Sequence, residues 1–296
     1  GLVGSALEPF LLTGGHRVTR LVRREVVDSS CEIRWDPARG ELDASQLEGF
    51  DAVVHLGGAN VADGRWTAER KEAIRRSRVD GTALLARTLA GLGNKPEVFV
   101  VASAIGYYGD RPGEVLDEES APGSGFLPDV AVAWEAAATP AREAGIRVVN
   151  LRIGVVLSSA GGALKMMLLP FRLGLGGRMG SGEQALSWVS IDDVVGIAHH
   201  VLRTPTLEGP VNAVAPQPVT NRELVKTLGR VLRRWTMVPL PGFAARLAFG
   251  EMADGLLLAS TDVRPRRLDE SGYAFLQPDL ERAIRRQLGR LERPAD

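Results

Sequence analysis

Residues 51–58 read DAVVHLGG, residues 97–103 read EVFVVAS and residues 146–153 read IRVVNLRI. Each is a short apolar run without polar alternation, the pattern of a strand buried on both faces. Between the first two runs lies a long helical stretch, roughly residues 67–91. Its positions Ile74, Ser77, Gly81, Leu84, Leu85, Thr88, Leu89 and Leu92 recur at spacings of three and four. Between the second and third runs, residues 130–144 read as a helix around Trp134 and Glu135. Strand, helix, strand, helix predicts an α/β fold with a doubly wound parallel sheet, helices on both faces and right-handed crossovers. Ligands in such sheets bind beyond the carboxyl ends of the strands, near the point where strand order reverses. The loops after Leu56 and Ser103 lie at such ends.

Working outward, Gly1-Leu2-Val3-Gly4 runs into a helical pattern (Ala6, Leu7, Phe10, Leu11) that Gly14 and Gly15 stop. Residues 16–23 and 31–35 read as the next strands. After residue 157 the rhythm changes. Residues 159–182 hold seven glycines around the apolar stretch Met166 to Leu169, a composition that suits a mobile flap over a cleft. A helix then begins near Ile191, a strand covers 211–214, and Pro216 and Pro218 follow. Three further helices are predicted over 221–233, 243–259 and 278–291. The expected organisation is a nucleotide-binding domain over 1–218, with 159–190 shared with the cleft, and a smaller, mainly helical lobe over 219–296.

Composition narrows the function. There are 36 Lys plus Arg and 36 Asp plus Glu, a formal net charge of zero. A basic nucleic-acid-binding surface is not implied by this balance, which leaves room for a local basic patch. Cys31 is the one cysteine, so neither an intramolecular disulfide nor a Cys-based metal site is expected. The histidines are His16, His55, His199 and His200. Asp192 and Asp193 do not place a ligand set on one face with the last two, so no metal is expected. No run reaches the ~18 apolar residues of a membrane span and no signal pattern is visible, so a cytoplasmic protein without a membrane partner is expected. No Lys-Ser or Lys-Thr pair follows a glycine-rich loop, which excludes a P-loop.

Gly1-x-x-Gly4 at a helix start has the form of the end of a dinucleotide-binding fingerprint. Glycine lets the backbone approach a pyrophosphate, and the helix start offers free N–H groups and a positive dipole end. The first strand and the first glycine of such a unit would precede residue 1, so the first strand is expected to be missing. The second strand ends Leu21-Val22-Arg23-Arg24. An acidic residue there holds a ribose 2′-hydroxyl, whereas arginine accommodates a 2′-phosphate. The reading is NADP rather than NAD, the alternative being two solvated arginines.

With these residues in hand, the chain resembles the extended and atypical short-chain dehydrogenase/reductases, and within them the NAD(P)-dependent epimerase-like family with an extra C-terminal domain. The segments that carry the resemblance include HLGGAN at 55–60, RWT at 65–67, ASAIGYYG at 102–109, WEAA at 134–137, LRIGVVL at 151–157, PFRLGLGG at 170–177, SWVSIDDV at 187–194 and GEM at 250–252. The resemblance implies a Rossmann-like domain binding NADP(H). It assigns Gly1, Leu2, Val3 and Gly4 to the pyrophosphate turn, and Arg23 with the Val22 backbone to the 2′-phosphate. Leu56, Gly57 and Gly58 would lie beside the adenosine and ribose, Arg78 would reach the cofactor, and Gly154, Val155 and Val156 would line the nicotinamide end. Core packing is the alternative for the apolar members, and a solvated helix face for Arg78.

Catalysis is where the chain departs from that pattern. The wider superfamily uses Tyr-x-x-x-Lys, in which an ammonium lowers the pKa of a phenol that is otherwise near 10. Spacing from Glu135 points to Leu127 and Ala131, and no lysine lies between Lys95 and Lys165. Ser103, or Ala104 in another alignment, takes the strand-end position of the substrate-orienting serine. Ser103 with Tyr108 is expected to supply the polar substrate contact. The alternative is that Tyr107 and Tyr108 pack under the loop with their hydroxyls satisfied locally. The implied reaction is hydride transfer on a small carbonyl or hydroxyl substrate. A non-catalytic NADP(H) sensor and an interaction protein without cofactor are the alternatives, and the oligomeric state stays open.

Overall fold

The structure, a computed structural model, describes residues 1–290. Helix α1 (Leu2–Thr13) starts at Gly1 and stops at Gly14. Strands β1 (Arg20–Val22), β2 (Glu32–Asp36), β3 (Glu41–Leu42) and β4 (Ala52–His55) follow. Helix α2 (Ala68–Ala90) is capped by Thr67, whose side chain accepts from the Arg70 amide. It buries Ile74, Gly81, Leu84, Leu85 and Leu89, the face that the three-four spacing predicts. Next come β5 (Val98–Ala104), β6 (Val115–Leu116), α3 (Phe126–Ala136), α4 (Thr139–Glu143), β7 (Arg147–Ile153) and β8 (Val155–Leu157). The single helix expected over 130–144 is thus two. Pro140 stands in the first turn of α4, where its missing N–H costs nothing and starts a new helix.

The second half runs α5 (Gly162–Arg172), β9 (Ala185–Leu186), β10 (Trp188–Ser190), α6 (Ile191–Arg203), β11 (Gly209–Ala213), β12 (Val219–Thr220) and α7 (Asn221–Leu232). It closes with α8 (Gly242–Phe249), β13 (Asp262–Val263), α9 (Arg266–Glu270) and α10 (Leu280–Gln287). The helix expected over 243–259 breaks at Gly250, whose φ of 64° suits glycine, and resumes as a wide turn over Ala253–Leu258. The expected helix 278–291 is observed as α10, and residue 291 lies outside the described residues. The strand expected over 16–23 shortens to β1, whose ladder runs only from Arg20 to Val22 against β2.

Four strands form an all-parallel sheet in the order β11-β7-β5-β4, with Ser103 opposite Arg152 and Val101 opposite Asn150. Side chains of β5 alternate between two cores. Phe99 and Val101 face α2, Trp134 and Ala141, while Val98 and Val100 face Val194, Ile197 and Val201 of α6. This double burial is why the strands read as continuous apolar runs. A second sheet, β1-β2-β3, holds the other half, and the two sheets share no hydrogen bonds. Leu21, Val53 and Leu56 nonetheless pack against the same core as Ile33, Trp35 and Phe99. A third core, built on Trp188, Leu157, Leu168 and Phe171, joins α5, α7 and α10.

Candidate cofactor site and buried polar network

The sheet's carboxyl edge gathers most of the residues assigned from the sequence. Gly1 is the N-cap of α1, and the first N–H groups of a helix have no partner within it, an arrangement that suits an anion. A Cβ built on Gly1 would meet nothing within 4 Å, whereas Gly4 faces Leu56 at 4.0 Å. Leu2 packs under Gly161 and Gly162, and Val3 shares a core with Val156. The segments 1–4, 56–58 and 154–156 thus converge. Gly154 is required there by space, because a Cβ would sit 2.8 Å from the Ser187 carbonyl oxygen. Val155 and Val156 are held by the parallel pairing of β8 with β10.

The end of β1 separates the two arginines. Glu32, buried on the neighbouring strand, accepts from Arg20 at 2.8 Å, from Arg24 at 2.5 and 2.9 Å, and from the Val27 amide at 2.9 Å. The hydrogen bond from Arg24, with those from the Val27 and Asp28 amides, holds its carboxyl down to about 2. Arg24 is thereby committed to the fold. Arg23 is exposed and makes no hydrogen bond or ion pair within the described residues. Val22 is half-buried beside it.

Gly57 and Gly58 are exposed, and the loop they form lies on Arg78 and His55. The Arg78 guanidinium donates to the carbonyls of Ala59 at 3.0 Å and Ile74 at 3.1 Å and lies 5.0 Å over the Trp134 ring. Burial, with the nearby charge of Arg70, pulls its pKa down to about 10. It remains a cation at neutral pH, with no carboxylate against it among the described residues. Arg78 is therefore not the solvated helix residue of the alternative reading. His55 stacks edge-on to Trp35 at 5.7 Å, and burial pushes its pKa down to about 4. Its Nε2 is buried without a partner.

Ser103 and Tyr108 are brought into one network, and that network faces inward. The Ser103 hydroxyl donates to Glu135 at 2.7 Å. Arg152 forks onto both oxygens of Glu135 at 2.8 and 2.9 Å and donates to the Tyr108 hydroxyl at 2.9 Å. Tyr108 donates in turn to Asn212 at 2.8 Å. Ser103 is 3% exposed and Tyr108 0%. Burial drives the Tyr108 phenol up to about 12, away from the range a general base needs. This geometry has the form of the alternative reading, in which the Tyr108 hydroxyl is satisfied locally. The cause is Arg152: a guanidinium inside the sheet must be compensated, and the surrounding polar side chains turn toward it. The sequence signal was present as an arginine within the apolar run 146–153, which demands a buried acid.

The superfamily's tyrosine position, Leu127, packs beside Gly106, and a Cβ on Gly255 would lie 3.6 Å from it and 3.0 Å from the Trp66 ring. Ala131 is buried. Tyr107 is the one aromatic of the loop that keeps a hydroxyl without a partner among the described residues. Its ring lies 3.4 Å from the Arg152 guanidinium carbon. A cavity of about 850 Å³ opens at the opposite edge of the sheet, among Arg147, Gly209 and Arg267. Arg147 and Arg267 donate there to main-chain carbonyls, and none of the residues assigned to the cofactor lines it.

Among the described residues no group of three or more His, Cys, Asp and Glu could hold a metal ion, and no helix is long and apolar enough to cross a membrane. His200 bonds Ser271 at 2.9 Å, and His199 stacks on Phe10 and His16.

Comparison with known proteins gives this geometry a family. Residues 1–214 match the NAD dependent epimerase/dehydratase family, and residues 240–287 match a domain of unknown function, DUF1731. An epimerase family protein of Mycobacterium bovis is 44% identical over 275 residues, covering 93% of this chain and 90% of that protein. The crystal structure of the human epimerase family protein SDR39U1 with NADPH superposes with a TM-score of 0.89 at 35% identity, over 98% of this chain and 97% of the human one. A nucleoside-diphosphate sugar epimerase from Corynebacterium glutamicum superposes with a TM-score of 0.78 at 37% identity, over 98% of this chain and 56% of its own. With a Rossmann-like α/β fold and matches over this extent, the chain belongs to the NAD dependent epimerase/dehydratase family.

Proposed function

We propose that this chain binds NADP(H) in preference to NAD(H) and performs hydride transfer on a small carbonyl or hydroxyl substrate. The observation that carries the reading is Arg23, the exposed arginine at the end of β1 that Glu32 leaves free while it takes Arg20 and Arg24. The human relative crystallised with NADPH supports the same cofactor. The glycine-opened start of α1 and Arg78, which has no carboxylate partner among the described residues, fit its remaining anionic groups. When bound, NADPH supplies the hydride. The chain's own residues hold the phosphates, and the Glu135–Arg152 pair sets the position of Tyr107, the phenol left open to a substrate.

Calorimetric titration of NADPH and NADH tests the cofactor assignment. NADPH should bind at least about tenfold more tightly, and Arg23→Ala should erase that preference while leaving NADH unchanged, since a charged hydrogen bond contributes about 1.5–3 kcal/mol. Equal affinities in the wild type, or an unaltered preference in the variant, refute it. A second reading, an NADP(H)-binding sensor without turnover, is favoured by the packed Leu127 and the inward Tyr108. NADPH oxidation with a panel of carbonyl compounds separates the two.

A further inference from the structure

Two stretches of this electrically neutral chain contain no Asp or Glu, residues 144–182 and 224–250. The structure ties them side by side. Arg234 donates to the Arg172 carbonyl at 3.0 Å, the Val238 amide to Gly176 at 3.3 Å, and the Leu240 amide to Arg178 at 2.9 Å. Both stretches expose large apolar side chains. Met166, Leu169 and Leu173 recur at spacings of three and four along α5 and its end, and Phe243 and Leu247 stand one turn apart on α8. Between them Trp235 is 80% exposed and Met237 74%. Monomeric soluble proteins seldom gather so many large apolar side chains on one face without a partner.

The charges around this face say what covers it. Lys165, Arg172, Arg178, Lys226, Arg233 and Arg234 are exposed, and none has a carboxylate partner among the described residues. We propose that this face docks on an anionic lipid surface, with Trp235, Phe243, Leu247 and the α5 face entering the headgroup region and the basic residues lying over lipid phosphates. Short helical segments with Trp, Phe and Leu on one side and Arg and Lys beside them lie in an interface without spanning it. A second copy of this chain fits less well, because a two-fold contact through this face would set the uncompensated arginines against one another.

Co-sedimentation with phosphatidylcholine vesicles, with and without phosphatidylglycerol, tests the proposal. Binding should need phosphatidylglycerol, weaken with added salt, and fall at least about tenfold in Arg233→Glu/Arg234→Glu. Phe243→Ser/Leu247→Ser should also abolish it, with an unchanged circular dichroism melt showing that the fold is kept. Failure to bind phosphatidylglycerol vesicles at low salt overturns the proposal, as does binding that neither double variant alters. Sedimentation velocity that shows a dimer lost in Phe243→Ser/Leu247→Ser, without vesicle binding, would assign the face to a second copy instead.

Discussion

Glu135 is the residue on which the interior of the site turns. Both of its oxygens are engaged by Arg152, and its Oε1 also accepts from Ser103. Glu135→Ala would leave a guanidinium buried without a counter-charge, and urea denaturation should show a loss of about 3–5 kcal/mol. Replacing both members, Glu135→Leu with Arg152→Leu, should cost clearly less, since no charge is then stranded. His55 gives the pH dependence. Its folded pKa is lowered to about 4 from an ordinary value of 6.5, so its stabilising contribution is complete above pH 6.5 and is lost as the pH falls through 4. Across that window wild type should lose about 3 kcal/mol relative to His55→Gln, measured by denaturation at a series of pH values. A pH-independent difference would mean that the ring is solvated. At this scale the sequence supplied residue types but no partners. It offered Arg23 and Arg24 as equals, and only Glu32 from the next strand separates them.

Elements were largely legible, because periodicity and end signals are local. The runs at 51–58, 97–103 and 146–153 are β4, β5 and β7, and Thr67 and Gly91 bound α2 close to the expected limits. Misreadings fell where one residue interrupts a pattern, at Pro140 and at Gly250. Short strands such as β13, paired in parallel with β6, carry no sequence signal because their partner lies far along the chain. The contact of 172–180 with 234–240 was equally invisible, and one glycine controls it. A Cβ on Gly177 would fall 1.9 Å from the Val238 carbonyl oxygen, so Gly177→Ala must part the two segments. Limited proteolysis should then cut near 234–240 faster than in wild type, with the cores of α2 and β5 still protected. An unchanged cleavage pattern would show that the contact is not maintained in solution.

For the whole molecule, the organising fact is that the C-terminal residues lie across the carboxyl side of the parallel sheet. Ser187 ties to Thr261 and Val263, Asp110 to Ser260, and Gln184 to the Leu257 carbonyl. These bonds place Gly255 against Trp66 and Leu127. Charge is divided on the same scale: a net charge of zero over the chain conceals two adjoining segments that carry only positive side chains.

Already legible in the residues were the alternation of strands and helices, the glycine-opened helix start, the arginines after Val22 and the absence of the Tyr-x-x-x-Lys pair. Each of these is a matter of residue type and local spacing. Tertiary structure alone decided that Arg23 is free while Arg24 is not, that Ser103 and Tyr108 turn inward toward Arg152, and that the carboxylate-free segments share one exposed face. Those outcomes depend on which groups meet across long stretches of chain, where burying a charge forces a partner to be found, and no local pattern records that choice.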